Sequence, residues 1–161
     1  MNFLHWLGLT TAREPLNVGA PAPDAISRDE QGALVHLSDL FREGLTLIYF
    51  YPKADTPGCT KQACSLRDDF TALQDRGVRI LGVSSDNPQA QRRFKEKHRL
   101  PFTLLADTDH AVANAFGVRL LLGMTVRQSF LIKDNKIVWR DLSASTAKQA
   151  RDVLAAVETL S

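Results

Sequence analysis

From Leu45 to Tyr51 the chain reads LTLIYFY, apolar almost throughout, rich in β-formers and stopped by Pro52. A run of that kind, without the alternation of a half-solvated strand, predicts a central strand buried on both faces. Burial on both faces requires a layer on each side, so the rest of the chain has to furnish helices and further strands around this one. A turn rich in Pro, Gly, Asp and Thr follows, and then the chain's two cysteines, Cys59 and Cys64. The composition after Cys59 is helical. The first thiol therefore stands at a strand–loop–helix junction, a position from which a side chain can do chemistry.

The remaining elements follow from periodicity and punctuation. Leu16 to Pro23 (LNVGAPAP) predicts an extended leading segment, because two prolines and a glycine oppose helix. Asp24 to Asp29 and Gly32 to Leu37 predict a short hairpin turning at Asp29-Glu30-Gln31-Gly32, and Ser38 to Phe41 one capped helical turn. Ala63, Leu66, Phe70 and Leu73 recur on one face of a single helix over about 58–75, stopped by Gly77. Val78 to Ser84 predicts a strand. Asn87-Pro88 opens a helix that runs to about His98 and that Pro101 bars from continuing. Phe102 to Leu105 predicts a short strand. A helix from about His110 to Phe116 closes at Gly117, with Asp107 and Asp109 as capping acids. Leu120 to Met124 carries no decisive pattern. Val126 to Ile132 and Lys136 to Arg140 predict a hairpin. Ser145 to Leu160 predicts a last helix that buries Ala147, Ala150, Val153, Leu154 and Val157. Strand and helix alternate before a terminal hairpin, so the expected fold is α/β, with a central mixed sheet flanked by helices.

A chain of 161 residues, 44% apolar and 24% charged, suits one globular domain with a full core. A net charge of +2 gives no reason to expect a nucleic-acid partner. No apolar run approaches the roughly 20 residues that span a bilayer, so no membrane partner is expected. Residues 1–16 stand apart as an N-terminal extension, with residues 17–161 as the domain. Phe3, Leu4, Trp6, Leu7 and Leu9 predict a short amphipathic helix in that extension. A signal peptide is disfavoured, because no Lys or Arg precedes the cluster, His5 interrupts it and Arg13-Glu14 follow closely. The cytoplasm is the expected compartment.

Two cysteines are too few to staple a secreted scaffold, so a close pair in an otherwise cysteine-free chain points to redox chemistry or a metal. The thiolate is the reactive form, and the unpaired N–H groups of a helix N-terminus favour an anion at Cys59. The Thr56 hydroxyl, three residues upstream, is expected to reach back to the sulfur, and a cation from elsewhere would complete the site. Cα atoms five positions apart on a helix lie roughly 8.6 Å from one another, whereas a disulfide wants less than about 7 Å. If the two cysteines form a redox pair, the first turns of the helix must unwind on oxidation. Gly58 and Thr60 make that easier. Other readings compete. A zinc site lacks ligands, since no His stands at ligand spacing. A static disulfide meets the same geometric objection. Inert burial is common for free Cys, but in the helical frame Cys59 is expected at the exposed end.

The string from Tyr51 to Thr60 resembles the peroxiredoxin active-site pattern P-x-x-x-T-x-x-C, formed here by Pro52, Thr56 and Cys59. With Cys64 and Ser65-Leu66-Arg67-Asp68 behind it, it is similar to the PrxQ subfamily, also called bacterioferritin comigratory protein. Val18 to Asp24 and Arg127 to Ile132 resemble two further segments of that family, so the likeness covers about residues 17–160. The resemblance implies a thioredoxin-like fold. It implies an atypical two-cysteine, thioredoxin-dependent peroxidase that reduces hydrogen peroxide and organic hydroperoxides in antioxidant defence. Cys59 would be the peroxidatic cysteine and Cys64 the resolving one, joined in an intramolecular disulfide during the cycle. Thr56 and Arg127 would hold the thiolate and the peroxide, and Pro52 would shield the pocket. The resemblance implies no metal, haem or other cofactor, and a thioredoxin or similar dithiol as partner. It implies a monomer rather than a ring, with the apolar extension as the place for a dimer contact. The departures from the family pattern are that extension, the apolar segment Val118 to Val126, where core packing is expected, with the rim of the active site or a partner surface as the alternative, and Gln128 in place of Ser or Thr.

Arg92, Arg93, Lys95, Lys97, His98 and Arg99 make a basic helix, expected to be a solvated face, with docking of an acidic reductase or a polyanion as the alternative. Two further functions would use the same cysteine pair. A redox-switched binding or chaperone protein would not need Thr56 and Arg127 around the thiolate. A thiol–disulfide oxidoreductase without peroxidase activity would more naturally carry Cys-x-x-Cys.

Overall fold

The computed structural model describes residues 14–160. The helix expected around Phe3 to Leu9 lies outside them. Glu14 to Leu16, assigned above to the extension, already belong to the fold. Leu16 N donates to Phe116 O (3.1 Å), and Arg140 Nη1 donates to Pro15 O (3.2 Å) and Leu16 O (3.0 Å).

The chain runs through β1 (Ile26–Asp29), β2 (Leu34–His36), α1 (Leu37–Phe41), β3 (Leu45–Phe50), α2 (Pro57–Asp68), α3 (Phe70–Asp75), β4 (Val78–Ser84), α4 (Pro88–His98), β5 (Thr103–Ala106), α5 (Ala111–Phe116), β6 (Leu120–Leu121), β7 (Met124–Thr125), β8 (Gln128–Lys133), β9 (Lys136–Asp141) and α6 (Gln149–Glu158). Among the described residues the main sheet has seven strands in the order β2-β1-β5-β4-β3-β8-β9, and β6 pairs with β7 alone. β3, β4 and β5 are parallel, while β8 runs antiparallel to β3 and β1 antiparallel to β5. This is the mixed α/β sheet that the sequence predicts. The carboxyl ends of β3, β4 and β5 therefore share one edge with the start of β8, the edge where open α/β sheets place their sites.

β3 is central and buried on both faces. Leu47 and Tyr49 pack with residues of α2, α3, α4 and α6; Ile48 and Phe50 pack with residues of α1 and α5. The Tyr49 ring fits because its partner on β4 is Gly82, where a Cβ would stand 2.9 Å from the Tyr49 hydroxyl and 2.8 Å from Leu104.

Several elements depart from the sequence reading. The single helix expected over 58–75 breaks at Asp69 (φ −103°, ψ 16°), where two adjacent aspartates, poor helix formers, follow Arg67. α4, by contrast, ends at His98 before Pro101 as expected, and Arg99 closes it in a left-handed conformation (φ 51°, ψ 50°) while Arg99 N and Leu100 N donate back to Glu96 O and Lys95 O. Ala147 is exposed because α6 begins only at Gln149; Ala150, Val153, Ala156 and Val157 form its buried face. Leu120 to Thr125 is a tight hairpin, with Leu122 (φ 53°) and Gly123 (φ 78°) in the positive-φ pair of a two-residue turn. That turn leaves Leu121 62% and Leu122 91% exposed, which overturns the expected core packing of these leucines.

Asp107 caps α5 as expected, its buried carboxylate accepting from Val112 N and Ala113 N (both 2.9 Å). Burial nevertheless pushes its pKa up. A raised folded-state pKa contributes stability that is fully present below the unfolded value and lost as pH rises through the folded one. Asp107→Asn should therefore flatten this part of the acid stability profile. Asp107→Ala, which removes both caps, should cost about 1–2 kcal/mol, or about 2–8 °C in Tm, read by thermal unfolding at neutral pH. An unchanged Tm would remove the capping role.

Candidate active site

Tyr51 still pairs with the sheet, its N–H donating to Val83 O (3.0 Å). The half-buried Pro52 has no N–H to extend the ladder, and the chain turns out of the sheet there. The loop that follows is tied down closely. Ala54 N donates to Asp86 Oδ2 (2.8 Å), and the Asp55 carboxylate meets Lys97 Nζ (2.9 and 3.1 Å) and His98 Nε2 (3.0 Å). The Lys97 and His98 hydrogen bonds hold the Asp55 carboxyl below its ordinary pKa. The Thr56 hydroxyl, expected on the Cys59 sulfur, instead donates to Lys53 O (2.7 Å), a nearer acceptor created by the turn. Thr56 is the N-cap of α2 through its backbone, and no side chain caps the first turn. The N–H groups of Gly58 and Cys59 thus face the site without a capping acceptor.

Cys59, the third residue of α2, is 2% exposed. This corrects the expectation of an exposed thiol: the first turn of α2 lies on the core with Ala63 and Leu66, so its inner face includes the sulfur. The cation comes from Arg127, the residue before β8, whose Nη2 stands 3.4 Å from Cys59 Sγ. Gly58 leaves room for it, since a Cβ there would stand 3.1 Å from the same Nη2. Cys64 lies half-buried farther along the intact helix, and both cysteines are free.

Arg127 is itself held by a buried polar chain. Its Nη1 donates to Gln62 Oε1 (2.6 Å), and Gln62 Nε2 donates to Gln149 Oε1 (2.8 Å), which also accepts from Ser129 Oγ (2.5 Å). Gln62, Ser129 and Gln149 are all fully buried, so the chain ties α2, β8 and α6 together behind the sulfur. The sequence reading missed these three residues. The one available signal was Gln62, which stands three positions after Cys59 and so shares its helix face. Gln128, by contrast, turns away, its Nε2 donating to Leu142 O (3.4 Å). Gln62→Leu leaves Arg127 Nη1 without its acceptor and Gln149 Oε1 with Ser129 Oγ alone, and should cost about 1–3 kcal/mol in denaturant unfolding. Unchanged stability would show that the chain is not a structural tie.

The basic helix is only partly a solvated face. Lys95 Nζ pairs with the buried Glu30 (2.5 Å), and Lys97 and His98 hold Asp55, whereas Arg92, Arg93 and Arg99 are exposed. Among the described residues no group of three or more His, Cys, Asp or Glu gathers as a metal ion would need, and no helix is long and apolar enough to cross a membrane.

Comparison with known proteins gives a consistent picture. Residues 18–140 match the AhpC/TSA family. The chain is 48% identical over 131 residues to peroxiredoxin Bcp of Escherichia coli (strain K12), spanning 76% of this chain and 83% of that protein. It superposes on peroxidoxin BcpB from Mycobacterium tuberculosis with a TM-score of 0.84 at 34% identity, over 91% of this chain and 99% of that one. A bacterioferritin comigratory protein of Xanthomonas campestris, with alkyl peroxide reduction activity, superposes with a TM-score of 0.78 at 28% identity, over 91% and 99% of the two chains.

Proposed function

Since the chain belongs to the AhpC/TSA family and is a thiol peroxidase, a peroxiredoxin of the Bcp and PrxQ kind, we propose that Cys59 is its peroxidatic cysteine and Cys64 its resolving cysteine. The observation that carries this assignment is the Arg127 guanidinium 3.4 Å from the Cys59 sulfur at the start of α2. The guanidinium, a permanent cation, and the helix N-terminus both set positive charge beside the sulfur and the peroxide that meets it. The thiolate attacks one oxygen of ROOH in line with the O–O bond. The S–O bond forms as the O–O bond breaks, the leaving alkoxide takes up a proton to give ROH, and Cys59 is left as a sulfenic acid. Arg127 and the uncapped first-turn N–H groups meet the charge that develops on the leaving oxygen. The Thr56 hydroxyl, with its hydrogen on Lys53 O, keeps its lone pairs to accept from the peroxide O–H. Pro52, at the mouth of the loop, keeps bulk water from the sulfur.

In the second step the Cys64 sulfur attacks the sulfenic sulfur. The S–S bond forms and the hydroxyl leaves as water with the Cys64 proton. Both cysteines sit on one helix, so the start of α2 must unwind for this step. A dithiol reductant, thioredoxin in this reading, then restores both thiols through a mixed disulfide. Alkyl peroxide reduction by the Xanthomonas relative supports organic hydroperoxides, beside hydrogen peroxide, as substrates here. The test is NADPH consumption coupled through thioredoxin, with hydrogen peroxide, cumene hydroperoxide and tert-butyl hydroperoxide. Turnover with at least one is expected, and no turnover with any of them from fully reduced protein would sink the reading.

A further inference from the structure

The segment that has to rearrange between Cys59 and Cys64 is bounded on both sides by contacts to one residue. Upstream, the His98 side chain meets Asp55, four residues before Cys59. Downstream, the His98 carbonyl accepts from Arg67 Nη1 (2.7 Å), three residues after Cys64. His98 is firmly seated. Its ring lies edge-on to Phe94 (centroids 5.4 Å), and Phe94 in turn meets Tyr51 at the end of β3 (5.9 Å). The last turn of α4 is thus a fixed post against which both flanks of the reactive segment are tied. On the upstream side the tie holds an unfavourable backbone in place: Asp55 has φ 59°, in the left-handed region. Lys97 reinforces the link, its Nζ reaching both oxygens of the Asp55 carboxylate.

We propose that the Asp55–Lys97–His98 latch is a positioning device for the redox cycle: it sets how readily the first turns of α2 open, and hence how the Cys59 sulfenic acid divides between Cys64 and a second peroxide. This rests on the roles proposed above for the two cysteines. The latch fixes the loop that delivers Thr56 and Pro57 to the start of α2. Opening that start displaces the loop, so the latch bonds count against the open form. Peroxide reacts with the closed form, which predominates with or without the latch, so the first step is nearly indifferent to it. Disulfide formation passes through the open form and feels the latch in full. The Arg67 tie holds the rest of α2 and confines the opening. An exposed ion pair is weak against global unfolding, but here it acts on a local opening whose population directly sets the partition.

Asp55→Asn keeps the size of the side chain and its tolerance of the left-handed conformation while removing the charge. Quench-flow mass spectrometry of wild type and variant would count sulfenic acid, disulfide and sulfinic acid at Cys59 against time and hydrogen peroxide concentration. Sulfenic acid should form within about twofold of the wild-type rate. Disulfide should form about threefold faster, and the peroxide concentration that converts half of Cys59 to sulfinic acid should rise about threefold, the scale of an exposed ion-pair set. Lys97→Gln, which cuts the link from the other element, should act in the same direction, and Lys97→Arg should return the partition toward wild type. Disulfide formation that is unchanged or slower in Asp55→Asn and Lys97→Gln, with sulfenic acid forming normally, overturns the latch. If the wild type forms no sulfenic acid at Cys59, the cysteine assignment itself fails and the latch goes with it.

Discussion

Cys59→Ser should leave no thioredoxin-linked NADPH consumption above the uncatalysed rate with any peroxide, a loss of about 10⁴-fold or more. The serine hydroxyl is nearly isosteric, and the Arg127 donor and the uncapped N–H groups stay in place. A loss of that size therefore reports the missing thiolate rather than a damaged pocket. Cys64→Ser should behave differently. Its Cys59 should still form one equivalent of sulfenic acid per chain at the wild-type rate, trapped by dimedone and counted by mass. Turnover with thioredoxin should then stop, because no second thiol closes the disulfide. Normal cycling by Cys64→Ser would contradict its resolving role.

Arg127→Gln should lower kcat/KM for peroxide by about 10²- to 10³-fold, the usual effect of removing one donor aimed at developing charge. The loss should fall on the first step and leave disulfide formation from preformed sulfenic acid unchanged. Arg127→Lys should recover little. The guanidinium serves two partners at once, Nη2 on Cys59 Sγ and Nη1 on Gln62 Oε1, and an ammonium on a flexible stem does not reproduce that planar fork. Stopped-flow measurement of the peroxide step against concentration checks this, and an Arg127→Gln rate within threefold of wild type would remove Arg127 from the chemistry.

The sequence marks the site well where its signals are local. The two-faced apolar run of β3, the Pro52 stop and the Pro57-Gly58 opening of α2 place Cys59 at a strand–helix junction, and the structure has it there. The burial of Cys59 was not legible, because helical spacing says which residues share a face but not which face the sheet covers. The chain from Arg127 through Gln62 and Gln149 to Ser129 was hidden for a related reason. Its links join residues 65, 87 and 20 positions apart, and no local pattern pairs them. Apolar composition misled at Leu121 and Leu122, where a tight turn, not hydrophobicity, decides the direction of the side chains. The basic run on α4 reads as one face, yet Lys97 and His98, in the last turn of that helix, reach the loop before α2 through Asp55.

As proposed, the site is a switch. α2 is intact from Pro57 to Asp68 with both thiols free, and an intact helix holds Cα atoms five positions apart too far for a disulfide. Hydrogen exchange of the fully reduced and fully oxidised protein, resolved across residues 58–66, tests this most directly. Oxidation should raise exchange across that segment, by about tenfold or more at its first turns, while amides of β3 and β4 keep their protection. Unchanged protection over 58–66 in protein shown by mass to carry the Cys59–Cys64 disulfide would contradict it.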